Sequence, residues 1–274
     1  MTRKINLRFL FFIITSIIVT EGSLFAQTAD YPANYAKQPR FKALLYYSEN
    51  VEEAHKEFAK DAIDFFTRLT DGDGYILEIT TSLRNYDYDS LKDFNTIIAV
   101  NISPSDPEER LLFEKYMENG GGWIGFHAAA YNDINTGWPW FNEFLGCGHF
   151  YCNNWPPQPA LVETDTSDSP VTKNLPSSFV APATEWYQWQ PSPRENPNVE
   201  VLLSLSDKNY PLGLKDVVFY GDFPIVWRNS NYRMIYLNYG HGDKCFSDAT
   251  QNLLTINAFR YVVSLSPAGN PFWE

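Results

Sequence analysis

Between residues 41 and 126 short apolar runs alternate with stretches of helical periodicity, and this alternation restricts the fold more than any other feature. Phe41 to Tyr47 (FKALLYY) is a brief apolar run of the kind that becomes a buried strand. Apolar residues then recur at Val51, Ala54, Phe58, Ala62, Phe65, Phe66 and Leu69, which is helical spacing, with Asn50 as the expected N-cap and Asp71-Gly72 at the stop. Tyr75 to Thr81 and Asn95 to Asn101 read as the second and third strands. Asp106-Pro107-Glu108-Glu109 opens another helix with a capping acid, a proline in the first turn and further acids behind it. Asn119-Gly120-Gly121-Gly122 closes that helix, and Trp123 to Phe126 is a fourth strand. Strands and helices that alternate in such short units need βαβ crossovers. The fold class is therefore α/β, a single domain built on a mostly parallel open sheet with helices on both faces.

The second half is less regular. Strand-like runs at 160–164, 200–206, 223–228 and 233–239 are separated by long Pro-containing, aromatic-rich loops, and a closing helix is expected from Ser247 to about Val263. No internal repeat or linker divides residues 41 to 264. Residues 1–26 have the pattern of a secretory signal peptide: Arg3, Lys4 and Arg8, an apolar run from Phe9 to Val19, and Ala26 as the expected cleavage point. Residues 27–40 read as a polar lead-in and residues 265–274 as a C-terminal tail. The expected location is periplasmic or extracellular, with no membrane insertion once the leader is gone. The chain carries 21 basic and 33 acidic residues, a net of −12, and loss of residues 1–26 would leave 18 against 32, a net of −14. A surface that acidic repels nucleic acid and anionic lipid. Cys147 and Cys152 are the closest pair of the three cysteines; a disulfide between them and two reduced thiols both remain open.

Open parallel sheets bind ligands beyond the carboxyl ends of their strands. That rule selects His127, directly after Trp123-Ile124-Gly125-Phe126, and His241, after the run ending at Tyr239. His127 precedes Ala128-Ala129-Ala130, the small-residue layout of a nucleophile elbow with imidazole in place of a nucleophile. Glu185, beside Trp186 and Tyr187, is either a partly desolvated acid–base group or a surface ion-pair partner. His149 either joins the site or caps a turn, and His55 reads as a solvated helix residue. Five of the eight Trp fall in residues 138 to 189. Flat aromatic faces suit the C–H faces of sugar rings, so Trp138, Trp140, Trp155, Trp186 and Tyr187, with His149 and Asn153, are the candidate sugar-binding residues; the alternative is that the aromatics only underpin the loops.

Several segments in this order resemble the ThuA-like (trehalose utilisation) family. They are Gly120 to Ala129, Trp138-Pro139-Trp140-Phe141, Glu185-Trp186-Tyr187, Phe223 to Trp227, and Arg233 to Tyr236 followed by Gly240-His241. The resemblance implies a class I glutamine amidotransferase-like, flavodoxin-like fold. In it His127 stands where an amidotransferase has its nucleophilic Cys, so glutamine hydrolysis is not expected. It also implies a role in breakdown of trehalose or related glycosides, including routes through 3-keto sugars. Two positions depart from the family pattern: Tyr151-Cys152-Asn153-Asn154 replaces a His-containing stretch, and Thr184 replaces an Asp. The expected activity is that of an exported enzyme acting on a glycoside or keto-sugar derivative, free to form homo-oligomers. His127, His241 and Glu185 would act as acid–base groups or as ligands of one divalent metal such as zinc. The alternative is a non-catalytic sugar-binding protein that uses the same aromatic-lined cleft. A hydrolase built on Cys147 or Cys245 is a weaker third reading, since neither sits at an elbow.

Overall fold

The apolar runs of the first half become neighbouring strands of one sheet in the computed structural model, which describes residues 41–209 and 222–265. The expected leader (1–26), the lead-in (27–40) and all of the tail except Leu265 lie outside the described residues. In chain order the first half contains β1 (Lys42–Tyr47), α1 (Glu53–Asp73), β2 (Ile76–Thr80), α2 (Tyr88–Leu91), β3 (Thr96–Val100), α3 (Pro107–Glu118) and β4 (Gly122–Phe126). The second half adds α4 (Pro139–Leu145), β5 (His149–Asn153), β6 (Gln158–Thr164), β7 (Ser178–Thr184), β8 (Tyr187–Gln190), β9 (Val199–Leu205), β10 (Pro224–Asn229), β11 (Arg233–Leu237) and α5 (Ala249–Ser264).

The main sheet has nine strands in the order β2-β1-β3-β4-β11-β10-β9-β6-β7, and β5 pairs with β8 in a separate ribbon. The first five strands are parallel, in the doubly wound flavodoxin-like order. Beyond β11 the pairing turns antiparallel through β10, β9, β6 and β7. β11 is thus the junction between a crossover-built half and a wing of antiparallel strands. The sequence pattern did not distinguish strand direction in the wing. It also missed β5, β7, β8 and α4: α4 is only seven residues long, and β7 (SFVAPAT) contains Pro182 and lies at the sheet edge, where proline is tolerated.

Central strands are buried on both faces, which is why they read as continuous apolar runs. On one face α1 and α5 bring Phe58, Phe66, Phe259 and Val262 against Leu45, Ile98, Ile124 and Phe126. On the other, α3 and α4 bring Phe113, Phe141 and Phe144 against Leu44, Ile97, Trp123 and Tyr236. This arrangement corrects the expected aromatic cleft. Trp186 is fully buried with its Nε1 donating to the Gln158 carbonyl. Trp138 stacks on Phe141 and Trp140 on Phe144, and their Nε1 groups donate to Glu114 and Glu118. The aromatics of α4 and of the segments around it thus cover the sheet.

Cys147 and Cys152 are not joined to each other: burial pushes the Cys147 thiol far up, and Cys152 Sγ lies 3.5 Å from Gln188 Oε1. Among the described residues no helix is long and apolar enough to cross a membrane. Phe126 bridges α1 and the loop after β11 through ring contacts with Phe58, Phe66 and Tyr239. Phe126→Ala should therefore lower stability by roughly 3–5 kcal/mol in urea unfolding, and a loss under about 1 kcal/mol would show that this packing is dispensable.

Candidate functional site

The carboxyl ends of β1, β4 and β11 open on one side of the sheet, and the chain segments that follow them converge there. His127 comes directly after β4 with φ +50°, a left-handed conformation rare for a residue with a side chain. Neighbours hold it on every side. Its Nδ1 lies 3.0 Å from the Asn238 carbonyl, and its own carbonyl accepts from Tyr236 Oη. The Tyr187 ring lies 4.0 Å away, centroid to centroid. A carbonyl can only accept, so Nδ1 carries the proton and Nε2 presents a lone pair. That Nε2 is buried and has no hydrogen-bond partner among the described residues.

Gly240 lets the loop after β11 approach this residue: a Cβ there would come within 2.4 Å of the His127 Cβ. Asn101, at the end of β3 and also at positive φ, ties the two loops together. Its Nδ2 donates to the Gly240 carbonyl and its Oδ1 accepts from the Ala128 N–H. Thr184, at the end of β7, accepts the N–H groups of Gly240 and His241 on its hydroxyl. The departure from the family pattern at this position is thus a buried backbone anchor for His241.

Glu185 follows Thr184 and is buried. Its Oε2 lies 3.6 Å from His127 Nε2 and 3.9 Å from His241 Nε2. Burial raises its pKa above the usual carboxylate range, and the imidazoles of His241 and His55 only partly oppose this. Burial pushes the His127 pKa down to about 3, with His241 adding to the shift, so His127 is neutral at physiological pH.

Two residues that the sequence reading did not place at the site complete the cluster. His55, expected to be solvated, is only 12% exposed, and its ring stands 5.2 Å from the rings of both His127 and His241. Burial, with His127 second, lowers its pKa to about 4. Glu52 is the N-cap residue of α1, but its side chain makes no capping bond. It turns instead to His241, with Oε1 2.6 Å from Nε2, and lies 3.5 Å from His55 Nε2. The Gly242 N–H donates to the Ala54 carbonyl and pins the first turn of α1 to the loop after β11. Placing the cap at Asn50 began the helix two residues early and hid these groups. The usable signal was a Glu and a His three apart in the first turn after β1, at the same sheet edge that selected His127.

Glu52, His55, Glu185 and His241 each offer one ligand atom, and those four atoms lie within 4.8 Å of one another. Two imidazole nitrogens and two carboxylate oxygens suit a divalent ion such as zinc. His127 stands beside this group and not within it, so the expected set of His127, Glu185 and His241 is replaced. Among the expected sugar-binding residues, Trp155 is 59% exposed with its ring 6.2 Å from that of His241. Tyr187 packs on His127. His149 and Asn153 belong to β5: His149 is exposed with Nδ1 3.1 Å from the Asn132 carbonyl, and Asn153 Nδ2 donates to the Asn154 carbonyl. Neither reaches the histidine cluster through these bonds.

A mostly parallel α/β sheet with a histidine at the elbow and a His–Glu cluster beyond the strand ends defines a doubly wound α/β protein with its candidate site at the strand ends. The chain belongs to the ThuA family, described as trehalose utilisation, whose model matches residues 42–262. It is similar to a ThuA-like protein from Bacteroides uniformis, with 68% identity and a TM-score of 0.84 over 89% of this chain and 100% of that one. A ThuA-like protein from Parabacteroides merdae shares the fold at 16% identity and a TM-score of 0.56, covering 86% of this chain and 93% of that one. The fold also recurs in α-L-fucosidase isoenzyme 2 from Paenibacillus thiaminolyticus, at 12% identity and a TM-score of 0.55, where 82% of this chain matches 33% of that one. No curated protein matches the chain.

Keeping His127 and His55 neutral makes stability depend on pH. Their folded pKa values, about 3 and about 4, lie below the unfolded value of 6.5. As pH falls below about 6.5 the unfolded chain binds protons that the folded chain refuses, so stability drops progressively toward about pH 3. Glu185, with its raised pKa, acts in the opposite sense, favouring the folded state at low pH and losing that contribution as pH rises through its titration range. Urea midpoints should fall between about pH 7 and about pH 5, and His127→Gln should flatten that slope. A parent midpoint that stays constant across the window would contradict neutral burial of these imidazoles.

Proposed function

We propose that the chain is an enzyme acting on a glycoside or keto-sugar derivative by proton transfer within the His127–Glu185–His241 cluster. One observation carries the reading: Glu185, with its raised pKa, lies within 4 Å of two imidazole Nε2 atoms that differ in state. His127 Nε2 is a lone pair fixed by the Asn238 bond. His241 Nε2 faces the Glu52 carboxylate at 2.6 Å, which calls for a proton on that nitrogen. The cluster thus holds an acceptor side, Glu185 and His127, and a donor side, His241 backed by Glu52.

A keto sugar suits this arrangement because its carbonyl acidifies the neighbouring C–H. In eliminative cleavage Glu185 takes that proton, the C–H pair becomes a ring C=C bond, and the glycosidic C–O bond breaks. The leaving oxygen takes a proton from His241. No covalent nucleophile is needed, consistent with imidazole at the elbow. In the alternative, metal-bound version a divalent ion held by Glu52, His55, Glu185 and His241 would supply Lewis-acid polarisation of the sugar carbonyl, with Glu185 and His241 serving as its ligands in place of base and acid. Trp155, exposed beside His241, would offer a flat face to the sugar ring. The leader expected in residues 1–26 would direct this activity to the periplasm or outside the cell.

Turnover of 3-keto-trehalose and related keto glycosides is the direct test. His127→Ala should abolish it while the far-ultraviolet spectrum is retained, and Glu185→Gln should lower kcat by roughly 10²-fold or more. Full activity of His127→Ala would sink the proposal, and tight sugar binding with no product over long incubation would favour a binding protein instead. Metal analysis before and after chelation separates the two versions: a fully active, metal-free enzyme excludes the ligand role.

A further inference from the structure

The parallel strands that end at the histidine cluster begin at the opposite edge of the sheet, and a cavity lies there. It has a volume of about 320 Å³ and sits among the segments leading into β3, β4 and β11. Its walls are the rings of Tyr88, Phe94 and Tyr116, with Lys92 and Arg233 as cations and Asp93 as the acid.

Arg233 is the unusual member. Arg84, Arg194, Arg228 and Arg260 each hold a carboxylate, and Arg110, which holds none among the described residues, places two of its nitrogens on carbonyls and its guanidinium over the Trp138 ring. Among the described residues no carboxylate stands within ion-pair distance of Arg233. Its guanidinium donates through Nη2 to the Asn95 carbonyl, and its buried Nε has no hydrogen-bond partner among the described residues. A half-buried cation without a counter-charge is costly, and burial lowers its pKa with no carboxylate opposing the shift. The fold nonetheless makes room for it, since a Cβ on Gly122 would come within 2.5 Å of Nη2. Positive charge gathers at the same edge: Lys115 Nζ lies 4.0 Å above the Tyr88 ring and Lys92 Nζ 6.0 Å from it. Lys92 has a neighbour in Asp89 at 2.7 Å, but both side chains are exposed. In a chain whose net charge is −12 this is an unexpected concentration of cations.

We propose that this cavity is a binding site for a small oxyanion, a phosphate or carboxylate group, held by the Arg233 guanidinium with Lys92 at the mouth. Guanidinium forks match the paired oxygens of both groups, and the aromatic walls exclude water from the pair. The site lies at the other end of the strands from His127 and does not depend on the reaction proposed there.

Calorimetric titration of the whole protein with inorganic phosphate, and separately with acetate, at constant ionic strength tests the assignment. Saturable binding of at least one anion is expected, with backbone amide shifts in NMR centred on Gly120 and Gly121. Arg233→Gln should weaken binding about tenfold, and Arg233→Lys should weaken it less. Lys92→Gln changes an exposed side chain and should weaken binding about threefold; it decides the matter alone if the Arg233 variants fail to fold. Absence of saturable binding, parent affinity in the folded variants, or shifts centred on His241 would each overturn the proposal.

Discussion

The hydrogen bond from His127 Nδ1 to the Asn238 carbonyl joins the ends of two adjacent parallel strands and settles the chemistry of the elbow at the same time. It selects the tautomer, so the nitrogen turned toward Glu185 is a lone pair. It also ties the segment after β4 to the segment after β11. Asn238 reinforces this arrangement by clamping both backbone groups of Tyr187, whose ring lies on His127. An imidazole buried this way stays neutral without a carboxylate in direct contact, because its desolvation outweighs the attraction of acids more than 3.5 Å away.

The remaining members arrive from elements distant in the chain. Glu52 and His55 come from the first turn of α1, and Glu185 from the strand-to-strand turn between β7 and β8. Their meeting depends on small polar anchors: Asn101, Thr184 and the Gly242-to-Ala54 backbone bond. Each anchor satisfies backbone groups that would otherwise be buried without partners. The site therefore belongs to the seam between the parallel half and the antiparallel wing.

Much of this was legible in the sequence. The βαβ alternation located β1 to β4 and two of the three helices between them, α1 and α3, and the strand-end rule picked out His127 and His241. Glu185 was visible as a carboxylate beside bulky aromatics. Glu52 and His55 were missed because helix periodicity is silent about which first-turn side chain forgoes its capping role. The tryptophans misled for a related reason: Trp138 and Trp186 lie outside any long periodic segment, yet they are core residues, and Trp140 packs half-buried against the same core as Trp138. Composition cannot tell an aromatic that lines a cleft from one that roofs a sheet. Strand direction in the wing was hidden because alternation of apolar residues is the same in both directions.

Trp155 differs from the other tryptophans among the described residues: Trp123, Trp138, Trp186, Trp189 and Trp227 are buried and Trp140 is half-buried, while Trp155 stands in solvent beside His241. Indole emission shifts to longer wavelength in water, so its contribution falls at the red edge of the protein's fluorescence. It stands against a blue background from the core. The molecule thus carries its own optical reporter at the mouth of the histidine cluster. A ligand that covers Trp155 and a change that loosens the core would move the spectrum in opposite directions.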